Sequence, residues 1–209
     1  MASREEFFVR LSKKATACKV CSRMKGCRAI LSQANGPLDA SVFFVAEAPG
    51  RFGAARTGVP FQGDRSGENF ETLLSSTHLT RKNVFITNAV LCNPLQKGNN
   101  SRPTTTEIKN CIPYLKATLE LVRPQVVVTL GGVALEALNR ILNTRFCLMD
   151  HAAHPQNQKN FILLPLYHPS PRVIYTYRSL NQQKSDFKKI FQCLKLSLKL
   201  KKHSPNQSP

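Results

Sequence analysis

Cys18 and Cys21 stand as Cys-x-x-Cys in the basic stretch TACKVCSRMKGC, which also holds Cys27. A pair at that spacing supplies two thiolate ligands from one turn of chain. Cys92 and Cys111 lie much further along and would complete a four-thiolate site, with Cys27 a rival for the fourth place. Four convergent thiolates suit zinc or an iron–sulfur cluster. Cys147 and Cys193 stand apart and are expected to be buried, inert cysteines. MASREEFFVRL carries early acids and no apolar core of a secretory signal. A reducing, cytoplasmic setting is therefore expected, where cysteine clusters bind metal more often than they form disulfides.

A second group of residues is spread over four strand ends. AEAPGRFGAARTGVPFQGD, residues 46–64, follows the apolar run SVFFV and holds four glycines, two prolines and an acid at each end, Glu47 and Asp64. A long irregular loop in a compact domain is usually functional or disordered. Phe61 sits in it between Pro60 and Gln62 and offers a flat face for stacking. Asp64 has a second possible role, as the cap of a following helix. Asn88 closes the run VFIT with an amide able both to donate and to accept. His168 follows FILLPLY in YHPSP and can donate a hydrogen bond.

Those positions imply a scaffold. Apolar runs at Ser41–Val45, Val84–Thr87, Gln125–Thr129 and Phe161–Leu164 read as strands covered on both faces. Helical patterns occupy Glu5–Lys14, Asn69–Leu74, a segment opened by the capping box Thr104-x-x-Glu107, Gly132–Leu142 and roughly Leu180–Leu198. Residues 93–105 read as a polar loop. Strands alternating with helices predict an α/β fold: a three-layer α/β/α sandwich around a four-stranded, mostly parallel sheet. Ligands bind such sheets beyond the carboxyl ends of the strands, where AEAPG, NAVLCNP, LGG and YHPSP all leave.

Thirty Lys and Arg against twelve Asp and Glu give a net charge of +18. A field of that size favours a polyanionic partner, nucleic acid first. The longest apolar run, Val126 to Leu135, is too short and too interrupted to span a membrane. One domain is expected over residues 1–199, followed by a basic tail, 200–209, without fixed structure.

The segments AEAPG, GVPFQGDRSG, ITNAVLCNP, PTTTEIKNCIPYL, RPQVVVTLGG and YHPSP occur in an order that resembles the iron–sulfur uracil-DNA glycosylases, families 4 and 5 of the uracil-DNA glycosylase superfamily. The likeness runs from about Cys18 to Lys189. The acid of AEAPG and the Asn-Cys step entering a helix resemble family 4; GAARTG, FQGDRSG and HPSP resemble family 5. Positions 51–54 lack the acidic pair that family 4 usually carries there.

The resemblance implies a monomeric, monofunctional repair enzyme that flips uracil out of DNA and hydrolyses its N-glycosidic bond through an oxocarbenium-like sugar. It implies Phe61 as the platform for the base, Asn88 on the O4 and N3–H edge, His168 as donor to O2, and Glu47 and the backbone of Ala48 in the same pocket. Either Glu47 or Asp64 serves as the acid that orients water or stabilises the cation. Ser170, Arg172, Arg178 and Lys184 are expected on DNA phosphates. The resemblance favours a [4Fe-4S] cluster on Cys18, Cys21, Cys92 and Cys111 over zinc, and a bacterial or archaeal, nucleoid-associated protein. Two other readings fit the charge and the thiols: a superfamily glycosylase for hypoxanthine or xanthine, and a non-catalytic, zinc-stapled nucleic-acid-binding module.

Overall fold

The structure, a computed structural model, describes residues 3–202. Five strands form one sheet: β1 (Val42–Ala46), β2 (Val84–Asn88), β5 (Val126–Leu130), β6 (Gln156–Asn157) and β7 (Ile162–Leu166), in the order β2-β1-β5-β7-β6. The first four in that order run parallel, with Val42, Val84 and Val126 in register. β6 adds an antiparallel edge to β7, so the expected four-stranded sheet gains a short fifth member. Its two polar residues carry no apolar period from which to be read. Every residue of β1, β2, β5 and β7 is buried, as strands covered on both faces must be.

Side chains alternate between two cores. Phe43, Val45, Phe85 and Val127 pack under α1 (Arg4–Thr16), α4 (Thr105–Val122) and α5 (Gly132–Leu142). Phe44, Ile86, Val128 and Leu164 pack under α3 (Arg65–Leu74) and α8 (Leu180–Lys202), where Phe70, Leu73, Phe187 and Ile190 meet them. This is the three-layer sandwich. Helix α4 begins with the predicted capping box: Thr104 Oγ1 accepts from the Glu107 amide and Glu107 reaches back to the Thr104 amide, at 3.2 and 2.7 Å. Helix α8 continues to Lys202, so the expected tail of residues 200–209 is helical where it begins; residues 203–209 lie outside the described residues.

Three short elements break segments expected to be irregular. Helix α2 (Ala54–Thr57) forms inside the 46–64 loop. A hairpin of β3 (Leu95–Gln96) and β4 (Asn99–Asn100) forms inside 93–105. Helix α7 (Pro171–Thr176) follows HPS, with Pro171 at its first position, where a missing amide hydrogen costs nothing. A fourth short helix, α6 (Leu148–His151), lies between α5 and β6.

The chain passes from β1 outward to β2, then returns across β1 to β5. That reversal opens a crevice beyond the carboxyl ends of β1 and β5, the place where doubly wound sheets bind ligands.

Candidate active site at the strand ends

The crevice is a cavity of about 920 Å³, a size suited to a small ligand. Glu47 and Ala48 enter it from the end of β1, Asn88 from β2, Gly131 from β5, and His168 and Ser170 from β7. Phe61 and Asp64 come from the long loop, and Arg172 and Tyr177 from α7 and its end. The register puts Asn88 opposite Ala46, one residue from Glu47. Sequence-distant residues therefore meet because parallel strands end together.

Each side chain has its own support. Phe61 stacks on Phe70 of α3 with centroids 4.4 Å apart and planes 9° apart, and its centroid lies 5.7 Å from that of His168. The Pro169 carbonyl accepts from Asn69 Nδ2 at 2.9 Å, which ties the HPSP turn to α3. Gly131, with φ +95, lies against His168; a Cβ there would sit 3.3 Å from the histidine Cβ. Protein crowds the His168 ring, and that burial pushes its pKa down to about 4 against a smaller upward pull from Asp64. The imidazole is therefore neutral at pH 7 and can offer one N–H. Asn88 is buried, and its Nδ2 has no hydrogen-bond partner among the described residues. An unpaired buried donor at a cavity wall is free to meet an acceptor there, from water or from a ligand.

The two acids differ. Asp64 caps α3: its Oδ1 accepts from the Gly67 amide at 2.9 Å. Its Oδ2 is wrapped by the loop, since a Cβ on Gly50 or Gly53 would approach it to 2.7 and 2.3 Å. Glu47 makes no side-chain hydrogen bond among the described residues; burial raises its pKa, with Arg102 opposing. One carboxylate is built into the loop and the other faces the cavity free.

Of the expected phosphate contacts, Ser170 and exposed Arg172 lie at the cavity, and Lys184 is half-buried on α8 away from it. Arg178, also expected on phosphate, makes a contact within the protein. Its Nε and Nη2 bond both carboxylate oxygens of buried Asp186 at 2.9 and 2.7 Å, joining α7 to α8. A bidentate pair of this kind leaves little of the guanidinium for a phosphate.

The thiols gather against the core that lies under α1, α4 and α5. Cys18, Cys21, Cys27, Cys92 and Cys111 are all half-buried and free. Cys92, at the exit of β2, feels the other four; desolvation, then those neighbours, push its thiol up to about 12. Desolvation likewise raises Cys111 to about 11. Neutral thiols so crowded are a donor set that a metal would convert to thiolates. Asn110 Nδ2 donates to Cys21 Sγ at 3.4 Å, and Cys27 Sγ lies 3.4 Å from the Asn93 carbonyl. Arg23 fastens the arm to α4 through a bidentate pair with Glu107, at 2.9 and 2.6 Å. Cys193 is buried as expected, but Cys147 is exposed; it starts α6 beside Asp150 and His151 instead of packing inward.

The sequence reading missed the rim supplied by Leu148 and Met149, and Asn100 and Ser101 from the hairpin side. Only their positions near Gly131-Gly132 and after NPL hinted at it. No helix among the described residues is long and apolar enough to cross a membrane.

A parallel-sheet fold with a cavity at its switch point lined by Phe61, Asn88 and His168, on a chain of charge +18, is the arrangement of an α/β protein whose ligand is part of a polyanion. The comparisons with known proteins make the class particular. Residues 33–195 match the family described as the uracil DNA glycosylase superfamily. The chain is 34% identical over 156 residues to the type-4 uracil-DNA glycosylase of Archaeoglobus fulgidus, covering 72% of this chain and 75% of that protein. It is 35% identical over 156 residues to the type-5 uracil-DNA glycosylase of Pyrobaculum aerophilum, covering 68% and 67%. A type-4 enzyme of Sulfurisphaera tokodaii is 28% identical over 186 residues, covering 87% and 82%. The chain belongs to the uracil-DNA glycosylase superfamily.

Proposed function

We propose that this protein removes uracil from DNA by hydrolysing its N-glycosidic bond, as the first enzyme of base-excision repair, and that the cavity at the strand ends is where it does so. The observation that carries this reading is the unpaired Asn88 Nδ2, buried in the same cavity as Phe61, His168 and Glu47. A flipped uracil stacks on the open face of Phe61. Asn88 donates to O4 through Nδ2 and accepts N3–H at Oδ1. Neutral His168 donates to O2, where negative charge grows as the C1′–N1 bond breaks. A donor aimed at developing charge lowers the barrier without reorganising. Glu47 holds the water and accepts its proton as oxygen bonds to C1′; the uracil anion is then protonated from solvent. Ala48 closes the wall beside Glu47 through its backbone. Asp64 shapes the loop from beneath.

Residues Cys18, Cys21, Cys92 and Cys111 would hold a [4Fe-4S] cluster, with Cys27 beside them. The crowded thiols suit either group, and the order of motifs shared with the iron–sulfur families favours the cluster over zinc. When bound, the cluster supplies a covalent cross-link of the N-terminal arm to the exit of β2 and to α4. Arg172 and Ser170 bind phosphates beside the flipped nucleotide. The site is complete within one chain, which supports a monomer, and the charge supports association with a bacterial or archaeal nucleoid.

The test is cleavage of a uracil-containing oligonucleotide, read as strand scission after alkali, with oligonucleotides carrying hypoxanthine or xanthine alongside. Scission at uracil that is lost in Asn88→Ala and His168→Ala is expected. Full activity of both variants would refute the site, and preference for a deaminated purine would move the substrate.

A further inference from the structure

Phe61 has φ +52, a left-handed conformation that bulky side chains rarely adopt. A residue held there persists only when its surroundings over-determine it. Three neighbours do so. Arg81, in the turn before β2, donates Nη1 to the Pro60 carbonyl and Nη2 to the Phe61 carbonyl, both at 2.9 Å. Its Nε donates to Glu71 Oε1 of α3 at 2.5 Å, which aims the fork. Gly67 lets α3 pass directly beneath: a Cβ there would stand 2.5 Å from the Phe61 carbonyl oxygen. Phe70 covers the back face of the Phe61 ring.

Arg81 does not line the cavity and cannot touch a base bound there. Its two bonds fix consecutive carbonyls, and so fix the peptide plane from which the Phe61 ring projects. A planar guanidinium can do this because its donors are locked in one plane; a lysine ammonium cannot hold two carbonyls in the same way.

We infer that Arg81 is a positioning residue for base recognition: it clamps Phe61 in its left-handed conformation so that one ring face lies on Phe70 and the other stays open to the base. Glu71 acts one step behind, by aiming Arg81. The inference rests on the reading of Phe61 as the base platform.

The experiment compares Arg81→Ala, Arg81→Lys, Phe61→Ala, Arg81→Ala/Phe61→Ala and Glu71→Ala. It measures single-turnover uracil excision, inhibition by free uracil, and Tm. Arg81→Ala is expected to slow excision and weaken free-uracil inhibition by about tenfold each, the coupling range of residues in contact. On the Phe61→Ala background the same change should cost less than about twofold, because the clamp then has nothing to position. Arg81→Lys should recover Tm but not uracil inhibition, a split that a merely structural arginine would not give. Glu71→Ala should repeat the Arg81→Ala pattern more weakly, and it serves should Arg81→Ala fail to fold. Wild-type excision and inhibition in folded Arg81→Ala, or losses that multiply independently of Phe61, would overturn the inference while leaving the platform intact. Unchanged excision in Phe61→Ala would instead remove the platform reading, and this inference with it.

Discussion

The 46–64 loop and the thiol-bearing arm, residues 18–27, are both irregular and both lie against the sheet, yet they are held in opposite ways. The loop is held by its own neighbours. The Arg51 amide donates to Asn100 Oδ1 at 2.9 Å and its guanidinium to the Gly98 carbonyl. Asp64 props the loop from beneath, and Arg81 clamps its far end. The arm is tied down through Arg23, which pairs with Glu107 and donates to Ser101 Oγ at 2.9 Å, and it brings its three thiols against Cys92 and Cys111. Hydrogen bonds hold the first region; in the second, the proposed cluster would supply the cross-links. The base pocket should therefore tolerate loss of the cluster better than the arm does.

The largest expected effect separates the two acids inside the loop. Glu47→Gln should lower single-turnover excision by about 100-fold or more, the usual weight of a positioned acid or base, whereas Asp64→Asn should stay within a few fold because asparagine caps a helix as well as aspartate. Burial raises the Glu47 pKa, so the acidic limb of the wild-type rate profile should lie above the ordinary carboxylate value of about 4.3 and vanish in Glu47→Gln. Comparable losses in both variants would break the distinction.

Next in size is removal of the cluster. Cys92→Ser should abolish visible absorbance and lower Tm, while free uracil still protects the pocket in a thermal-shift assay. Loss of uracil binding together with the cluster would mean the two regions are not independently held. Arg23→Ala, which leaves Glu107 unpaired, should cost about 2 kcal/mol of stability by denaturant titration, and should cost more in cluster-free protein than in loaded protein.

The last effect is a pH dependence of the pocket itself. His168 titrates near 4 when folded against about 6.5 when unfolded. The unfolded chain then binds more protons between those values, so stability should fall as pH drops from about 6.5 toward 4. His168→Leu should flatten that window.

Much of the fold was legible because the four buried strands are unbroken apolar runs whose ends fell within two residues of the observed ones. Their shared polarity then placed Glu47, Asn88 and His168 at one end of the sheet. What was not legible lacked a period or depended on a partner. The β3–β4 hairpin is polar but for Leu95, and Pro171, at the end of YHPSP, starts α7. The Arg178–Asp186 pair was not legible because nothing local reveals that the carboxylate packs against the arginine. Cys147 looked ordinary, yet it opens a surface helix. Arg81 lay unremarked in LTRKN, since its targets are the carbonyls of Pro60 and Phe61, which carry no side-chain signal.

The orphan amide of Asn88 has a consequence for heat resistance. A buried donor without a partner costs the uncomplexed protein about 1–3 kcal/mol. On the proposed reading, the donor that recognises uracil is one that the protein itself leaves without a partner, and the resting fold is less stable for it. Asn88→Leu removes the penalty along with the donor. The variant least able to recognise its substrate should then melt at or above the wild-type temperature, and selection for thermal robustness alone would erode the enzyme's ability to find damage.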